Sequence, residues 1–93
     1  MSAPGERITA AGLEALLRQA LQPETLQVSD DSHLHAGHAG AREGGHFSVR
    51  IVSTRFDGLS RMARHRLVYH ALGSLTDRGI HALAIDAKAP SEA

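Results

Sequence analysis

The architecture of the chain follows from one stretch, Phe47 to Ile85, whose centre reads Arg64-His65-Arg66-Leu67-Val68-Tyr69. At the beginning of this stretch, Phe47, Val49 and Ile51 alternate with polar residues. Because successive side chains of a strand point to opposite faces, this alternation predicts a strand with one buried face.

After Gly58 the apolar residues change from a period of two to the period of a helix. They recur at i, i+3, i+4 and i+7 and form one apolar stripe: Val68, Ala71, Leu72 and Leu75. Ser60 is the predicted N-cap, because its hydroxyl can accept a hydrogen bond from a free amide of the first turn. Gly79 is the predicted helix end, and the alternating run from Ile80 to Ile85 predicts another strand.

A further helix and a short strand are predicted upstream of this stretch. Apolar residues recur at helical spacing up to Leu21, and Pro23 disfavours the helical conformation in the residue before it. Either Thr9 or Glu6 can serve the start of this helix. Residues 25–29 alternate between polar and apolar side chains, which predicts a short strand.

The predicted order is helix, strand, long loop, strand, helix, strand. The first two strands can pair antiparallel, and a right-handed helical crossover allows parallel pairing of the last two. Both helices must bury their apolar stripes on one face of the sheet. The predicted fold is therefore α+β, a two-layer αββαβ domain over residues 6–88 with a mixed sheet of three strands, and with flexible ends at 1–5 and 89–93.

Composition excludes several classes of site. The chain has 93 residues and no cysteine, so it has no disulfide, no thiolate nucleophile and no iron–sulfur site held by its own thiolates. Any metal site must use histidine or carboxylate. No apolar run reaches membrane-helix length, and the first residues lack a secretory signal, so a cytoplasmic protein without membrane association is expected.

Charge and histidine are unevenly distributed along the chain. Between Arg50 and Arg66 five arginines stand against the single acid Asp57, which fits either an interaction face or a solvated helix face. The glycine-rich segment 33–45 contains His33, His35 and His38. On spacing alone these three histidines are a weak metal signal, because the geometry of a loop is unconstrained.

Several motifs together resemble the BolA-like family, over about Leu13 to Pro90. They are Leu21-Gln22-Pro23, Asp31-Ser32-x-x-His35, His46-Phe47, Val52-Ser53, Arg55-Phe56-x-Gly58, Arg64-His65-Arg66-Leu67-Val68-Tyr69 and His81-Ala82-Leu83-Ala84-Ile85. The resemblance implies a fold similar to the class II KH domain. It also implies a monothiol glutaredoxin as partner, in a complex that shares a 2Fe–2S cluster held by glutaredoxin cysteine, glutathione thiol and histidine.

The resemblance implies two metal ligands in this chain, His81 and His35, with His33 or His38 as possible substitutes for His35. Read from the residues alone, His81 has the side-chain parity of the apolar residues after it and would be a partly buried core histidine. The family reading makes His81 an iron ligand, and replacement of thiolate by imidazole is chemically acceptable at such a cluster.

Other residues of the central stretch have predicted roles in contacts and structure. Arg61, Arg64 and Arg66 are candidates for contact with a protein partner or with nucleic acid. Predicted structural positions are His65, which can anchor the helix start through hydrogen bonds, and Gly58, which is needed for backbone reasons. Met62 is expected in the core.

The implied function is non-enzymatic: handling of iron–sulfur clusters or iron homeostasis, by a chain that is a monomer or weak dimer when alone. The alternative is a DNA-binding transcriptional regulator that uses the arginine-rich helix face. Against DNA, the chain lacks the Gly-x-x-Gly loop with which KH domains clamp the nucleic-acid backbone. No nucleophile elbow or phosphate-binding loop supports an enzyme.

Overall fold

A computed structural model describes residues 8–31, 45–75 and 77–93. The elements are α1 (Ala10–Leu21), β1 (Thr25–Asp30), β2 (Gly45–Val52), α2 (Arg61–Leu72) and β3 (Ile80–Lys88), with short 3-10 turns at Thr54–Phe56 and Pro90–Glu92. This is the αββαβ order that the sequence predicted. None of the helices within the described ranges is long and apolar enough to cross a membrane.

The three strands form one mixed sheet in the order β1-β2-β3. β1 and β2 pair antiparallel, with Leu26 opposite Ile51 and Val28 opposite Val49. β2 and β3 pair parallel, with Val49 opposite Ile85. A crossover connection such as α2 is what a parallel neighbour requires, and both pairings confirm the predicted strand directions.

One hydrophobic core joins the helices to a single face of the sheet. α1 contributes Leu13, Leu17 and Leu21, and α2 contributes Val68 and Leu72, all with 4% exposure or less. The other buried members of the same cluster are Leu26, Phe47, Val49, Ile51 and Ile80 of the strands, Phe56 of the turn Thr54–Phe56, and Ala89. The alternation of buried and more exposed residues along β2 leaves the other face of the sheet without a helical cover.

The helix starts agree with the sequence, whereas the end of α2 does not. Thr9 caps α1 by accepting a hydrogen bond from Gly12 N, and Ser60 caps α2 by accepting from Ala63 N. Gly79 was predicted as the end of α2, but the helix ends at Leu72 with Gly73 as its cap. Gly73 has φ +72°, a conformation that favours glycine and stops the helix two turns earlier than predicted.

The end of the chain makes specific contacts that the sequence did not predict. Ala89 is 3% exposed, and the short turn Pro90–Glu92 places the Glu92 carboxylate against Arg64 of α2. The Glu92 carboxylate also accepts a hydrogen bond from Ala89 N at 2.8 Å. The predicted flexibility of residues 89–93 remains a prediction, and these are the contacts that would oppose it.

Candidate functional site

His81 lies in a β-bulge at the start of β3. Gly45 pairs with Ile80 while the next residue of β2, His46, pairs with Ala82, so β3 has one extra residue at His81. The alternation of side chains therefore restarts at the bulge: Ile80 is buried, whereas His81 is exposed. The core position inferred from simple alternation was wrong, because a bulge re-aims the side chains on either side of it.

His46 packs beside His81 at this end of the sheet. The two ring centroids are 5.1 Å apart and the planes are inclined by 51°. His46 is half-buried, and its Nε2 atom is shielded from solvent. His46 has no predicted site role, although alternation along the strand already places it, one residue before Phe47, on the face opposite the core.

The residues that border the histidine-rich segment, Asp31 and Gly45, are hydrogen-bonded at this same end of the sheet. Asp31 N donates to His46 O at 2.7 Å, and Gly45 N donates to Gly79 O at 2.7 Å. The Asp31 carboxylate also accepts hydrogen bonds from the hydroxyls of Ser29 and Ser48. His33, His35 and His38 lie outside the described residues, so the assignment of His35 as a ligand remains a prediction.

The described residues do not form a complete metal site. Over the ranges 8–31, 45–75 and 77–93, no group of three or more histidine, aspartate or glutamate side chains could hold a metal ion. An exposed imidazole at His81 can supply one nitrogen ligand. A metal centre at this position would therefore need further ligands besides those of the described residues.

Arg64 makes contacts within its own chain. Its guanidinium donates to Leu59 O at 2.9 Å and to Ala87 O at 3.2 Å, and it binds both carboxylate oxygens of Glu92 at 2.5 and 3.1 Å. The hydrogen bond with Glu92 raises the pKa of Arg64. The same bond, with a smaller contribution from Ala89 N, holds the pKa of the Glu92 carboxyl below its usual range.

Arg61 and Arg66 are exposed on α2, in contrast to Arg64. The start of α2 and the end of β3 border a groove of about 440 Å³, lined on the helix side by Arg61, Arg64 and His65. Of the three arginines named from the sequence, the structure thus leaves two with their guanidinium groups at the surface.

Three further expectations, two for α2 and one for the residue Gly58 before it, meet different outcomes. Met62 is 65% exposed, so its predicted core position is wrong; it lies on the outer side of α2 with Arg66 and Tyr69. His65 is half-buried, but its side chain makes no hydrogen bond to any residue that the structure describes. Gly58 precedes α2 with φ +73°, which is the backbone reason for glycine there.

The chain is similar to proteins of one family. The family model described as "BolA-like protein" matches residues 17–92. The chain is 45% identical over 87 residues to "Protein BOLA1, chloroplastic" of Arabidopsis thaliana, covering 89% of this chain and 54% of that protein. It is 46% identical over 82 residues to "BolA-like protein 1" of Mus musculus, covering 88% and 58%. It thus spans a little more than half the length of these two relatives.

The fold is also that of a solved structure, the "BolA domain of SufE1 from Arabidopsis thaliana". The TM-score is 0.78 at 44% sequence identity, and the match covers 90% of this chain and 94% of the solved chain. The two-layer arrangement of helices and mixed sheet is therefore one that related sequences adopt.

Proposed function

The chain belongs to the BolA-like family, and on that premise we propose that it pairs with a monothiol glutaredoxin and contributes histidine to a shared 2Fe–2S cluster. The proposal makes the protein a binding partner without enzymatic activity, acting in iron–sulfur cluster handling or iron homeostasis. The sequence identity supports the family, and the arrangement around His81 supports the role within it.

The observation that carries the proposal is the exposed position of His81 on the β3 bulge. A ligand to a cluster that is shared between two proteins must reach beyond its own surface. The bulge provides this, because it points His81 outward at the end of the sheet instead of into the core. His81 supplies one imidazole nitrogen, and glutaredoxin cysteine and glutathione supply the thiolates.

The second ligand of the proposal, His35, follows Asp31 closely in the sequence. Three residues lie between the two, so a fully extended chain spans at most about 14 Å from the Cα of Asp31 to that of His35. Asp31 is hydrogen-bonded to His46, the ring neighbour of His81. The anchoring of Asp31 supports a site to which both histidines contribute.

His46 has a supporting role in the proposal. Its ring lies beside that of His81, with the centroids 5.1 Å apart, and we infer that this neighbour limits the rotation of the His81 side chain. Restricted ligands lose less conformational freedom on binding and hold the geometry of a metal centre. When bound, the cluster supplies electron transfer or iron–sulfur units; this chain supplies a positioned nitrogen donor.

One observation favours the alternative function of DNA binding. α2 contains three arginines and two histidines but no acidic residue. However, Arg64 is paired with Glu92, so the helix offers the phosphates only Arg61 and Arg66. Two phosphate contacts give a shallow dependence of affinity on salt and weak binding. A DNA shift assay across a salt series would support this alternative only if binding at low salt is lost in the double variant R61A/R66A.

A visible circular-dichroism titration tests the proposed function. Cluster-loaded monothiol glutaredoxin with glutathione is titrated with the wild-type chain, His81→Ala, and the matched control His70→Ala, an exposed histidine of α2. The proposal requires a new spectrum at one-to-one stoichiometry for wild type and control, and a lost or altered spectrum for His81→Ala. An unchanged glutaredoxin spectrum with the wild-type chain would contradict it.

A further inference from the structure

The outer edge of β3 presents backbone groups at two positions. Ser53 N, at the end of β2, donates to Lys88 O, so Lys88 faces β2, whereas Ala87 O faces the opposite way and accepts from Arg64. Because the backbone groups of successive strand residues point to opposite sides, Leu83, Ile85 and Ala87 face the free edge. Among the described residues, none makes a backbone hydrogen bond to Leu83 or Ile85 on this side.

The edge is limited at both ends. At one end, the bulge at His81 shifts the hydrogen-bonding pattern, so the regular outward-facing series begins only at Leu83. At the other end, the Arg64 guanidinium occupies Ala87 O. The two available residues, Leu83 and Ile85, are therefore placed symmetrically about Ala84.

This part of the edge also lacks the usual protection against strand pairing. Native edge strands carry lysine, proline or inward-pointing charges that discourage association. From Leu83 to Ile85, between the bulge at His81 and Asp86, the sequence contains no acidic residue, lysine, arginine or proline. Leu83 and Ile85 are only half-buried and pack against the margin of the core, so a neighbouring strand would cover apolar surface that is now exposed.

We propose that two copies of this chain associate through antiparallel pairing of their β3 edges, with the twofold axis at Ala84. In this register Leu83 of one copy is opposite Ile85 of the other, and both residues can exchange their N–H···O bonds. Ala84 faces its own counterpart on the helix-free face, and Ala82 faces Asp86. No like charges meet, so the pairing is self-complementary.

This geometry predicts that the association of the two copies is weak. The ladder contains only two hydrogen-bonding residues from each copy, and it covers less than the roughly 1,600 Å² of a standard stable interface. We expect a dissociation constant on the order of 100 μM, which corresponds to about −5.5 kcal/mol. The dimer does not depend on a cluster or on glutaredoxin, so its test is independent of the proposed function.

The absence of cysteine allows a direct test of the register. In an antiparallel pair without mutual hydrogen bonds, opposite Cα atoms lie about 4.5 Å apart, within the range that a disulfide spans. Ala84→Cys should therefore form a disulfide-linked dimer under mild oxidation, about tenfold or more faster than Gln27→Cys at a matched concentration. Both positions are exposed on the same sheet face, and Gln27 lies on β1.

Sedimentation equilibrium of the wild type and of Ala84→Lys completes the test. The wild type should show a dimer fraction that grows up to about 1 mM, and Ala84→Lys should be monomeric because two lysines would meet at the axis. Gln27→Lys is the control and should behave as wild type. A wild type that is monomeric at about 1 mM, or equal cross-linking of the two cysteine variants, would overturn the proposal.

Discussion

The rings of His46 and His81 lie 5.1 Å apart, at the one point of the sheet where the register between β2 and β3 shifts. The shift turns His81 outward, and His46 limits where its imidazole can point. In the proposed function the two histidines act as a unit, in which the ring of His81 binds the shared cluster and the ring of His46 supports it.

Replacing His46 tests this support. His46→Ala should weaken the shared cluster complex about tenfold and change its visible circular-dichroism spectrum, because loss of a supporting contact disorders a ligand. His46→Phe retains a ring beside His81 and should restore most of the wild-type spectrum. Equal spectra and equal affinities for His46→Ala and wild type would mean that the ring contact does not position His81.

The pair Arg64–Glu92 should make stability depend on pH in the acid range. The pKa of Glu92 is lowered in the folded protein, so its stabilising effect is complete above the ordinary glutamate range near pH 4.5 and is lost as pH falls through the lowered value. The unfolding midpoint of Glu92→Gln in urea should be lower than that of wild type at pH 7, and the difference should shrink at lower pH.

An exposed carboxylate provides the control for this titration. Glu24→Gln, at an exposed position outside the helices, should leave the same pH profile unchanged. The stabilising role of the Glu92 carboxylate would be contradicted if the difference in unfolding midpoint between Glu92→Gln and wild type stayed constant from pH 7 to about pH 2. Such a difference would not follow protonation of the carboxylate.

Ser53 joins the end of β2 to the end of α1. It is fully buried, and its hydroxyl donates to Leu21 O at 2.9 Å and accepts from Arg55 N at 3.2 Å. Ser53→Ala should lower the free energy of unfolding by about 1–3 kcal/mol, since it leaves a buried carbonyl without this donor. Urea denaturation measures this loss of stability, and the exposed Ser91→Ala serves as control. Equal unfolding midpoints for Ser53→Ala and wild type would refute the prediction.

Position 58 requires glycine because of its backbone conformation, and not because a larger side chain would lack space. Its φ is +73°, and a Cβ atom added there would meet no atom within 4 Å. Gly58→Ala should therefore cost about 1–2 kcal/mol of folding free energy from backbone strain alone. Gly58→Asn should cost less, because asparagine tolerates this region better. Thermal unfolding of the two variants checks the order, and an Asn variant less stable than the Ala variant would be inconsistent with strain.

The sequence was sufficient for the order of elements, the sheet topology and the cap at Ser60, and it named Thr9 as one of two candidates for the start of α1. These features depend on local periodicity and on side chains next to the helix ends, which a sequence displays directly. The exposure of His81 was missed because a bulge is an insertion relative to another strand. The alternation of side chains within β3 does not show how β3 is aligned with β2.

The pairing of Arg64 with Glu92 could not be predicted from the sequence either. The residues are 28 positions apart, and their contact depends on how the turn Pro90–Glu92 folds back over the start of α2. Similarly, the exposure of Met62 depends on which side of α2 faces the sheet. An apolar residue next to the apolar stripe of a helix can still be exposed. Whether its side chain is buried depends on how the helix packs in the whole domain.

The most direct test of the central claim is whether a nitrogen of this chain binds the shared cluster. The chain is produced with ¹⁵N-labelled histidine, combined with unlabelled cluster-loaded glutaredoxin and glutathione, and examined after reduction by electron–nuclear double resonance. The account predicts a strongly coupled ¹⁵N signal that is lost or altered in His81→Ala and retained in His70→Ala. A one-to-one complex whose cluster shows no ¹⁵N coupling would contradict it.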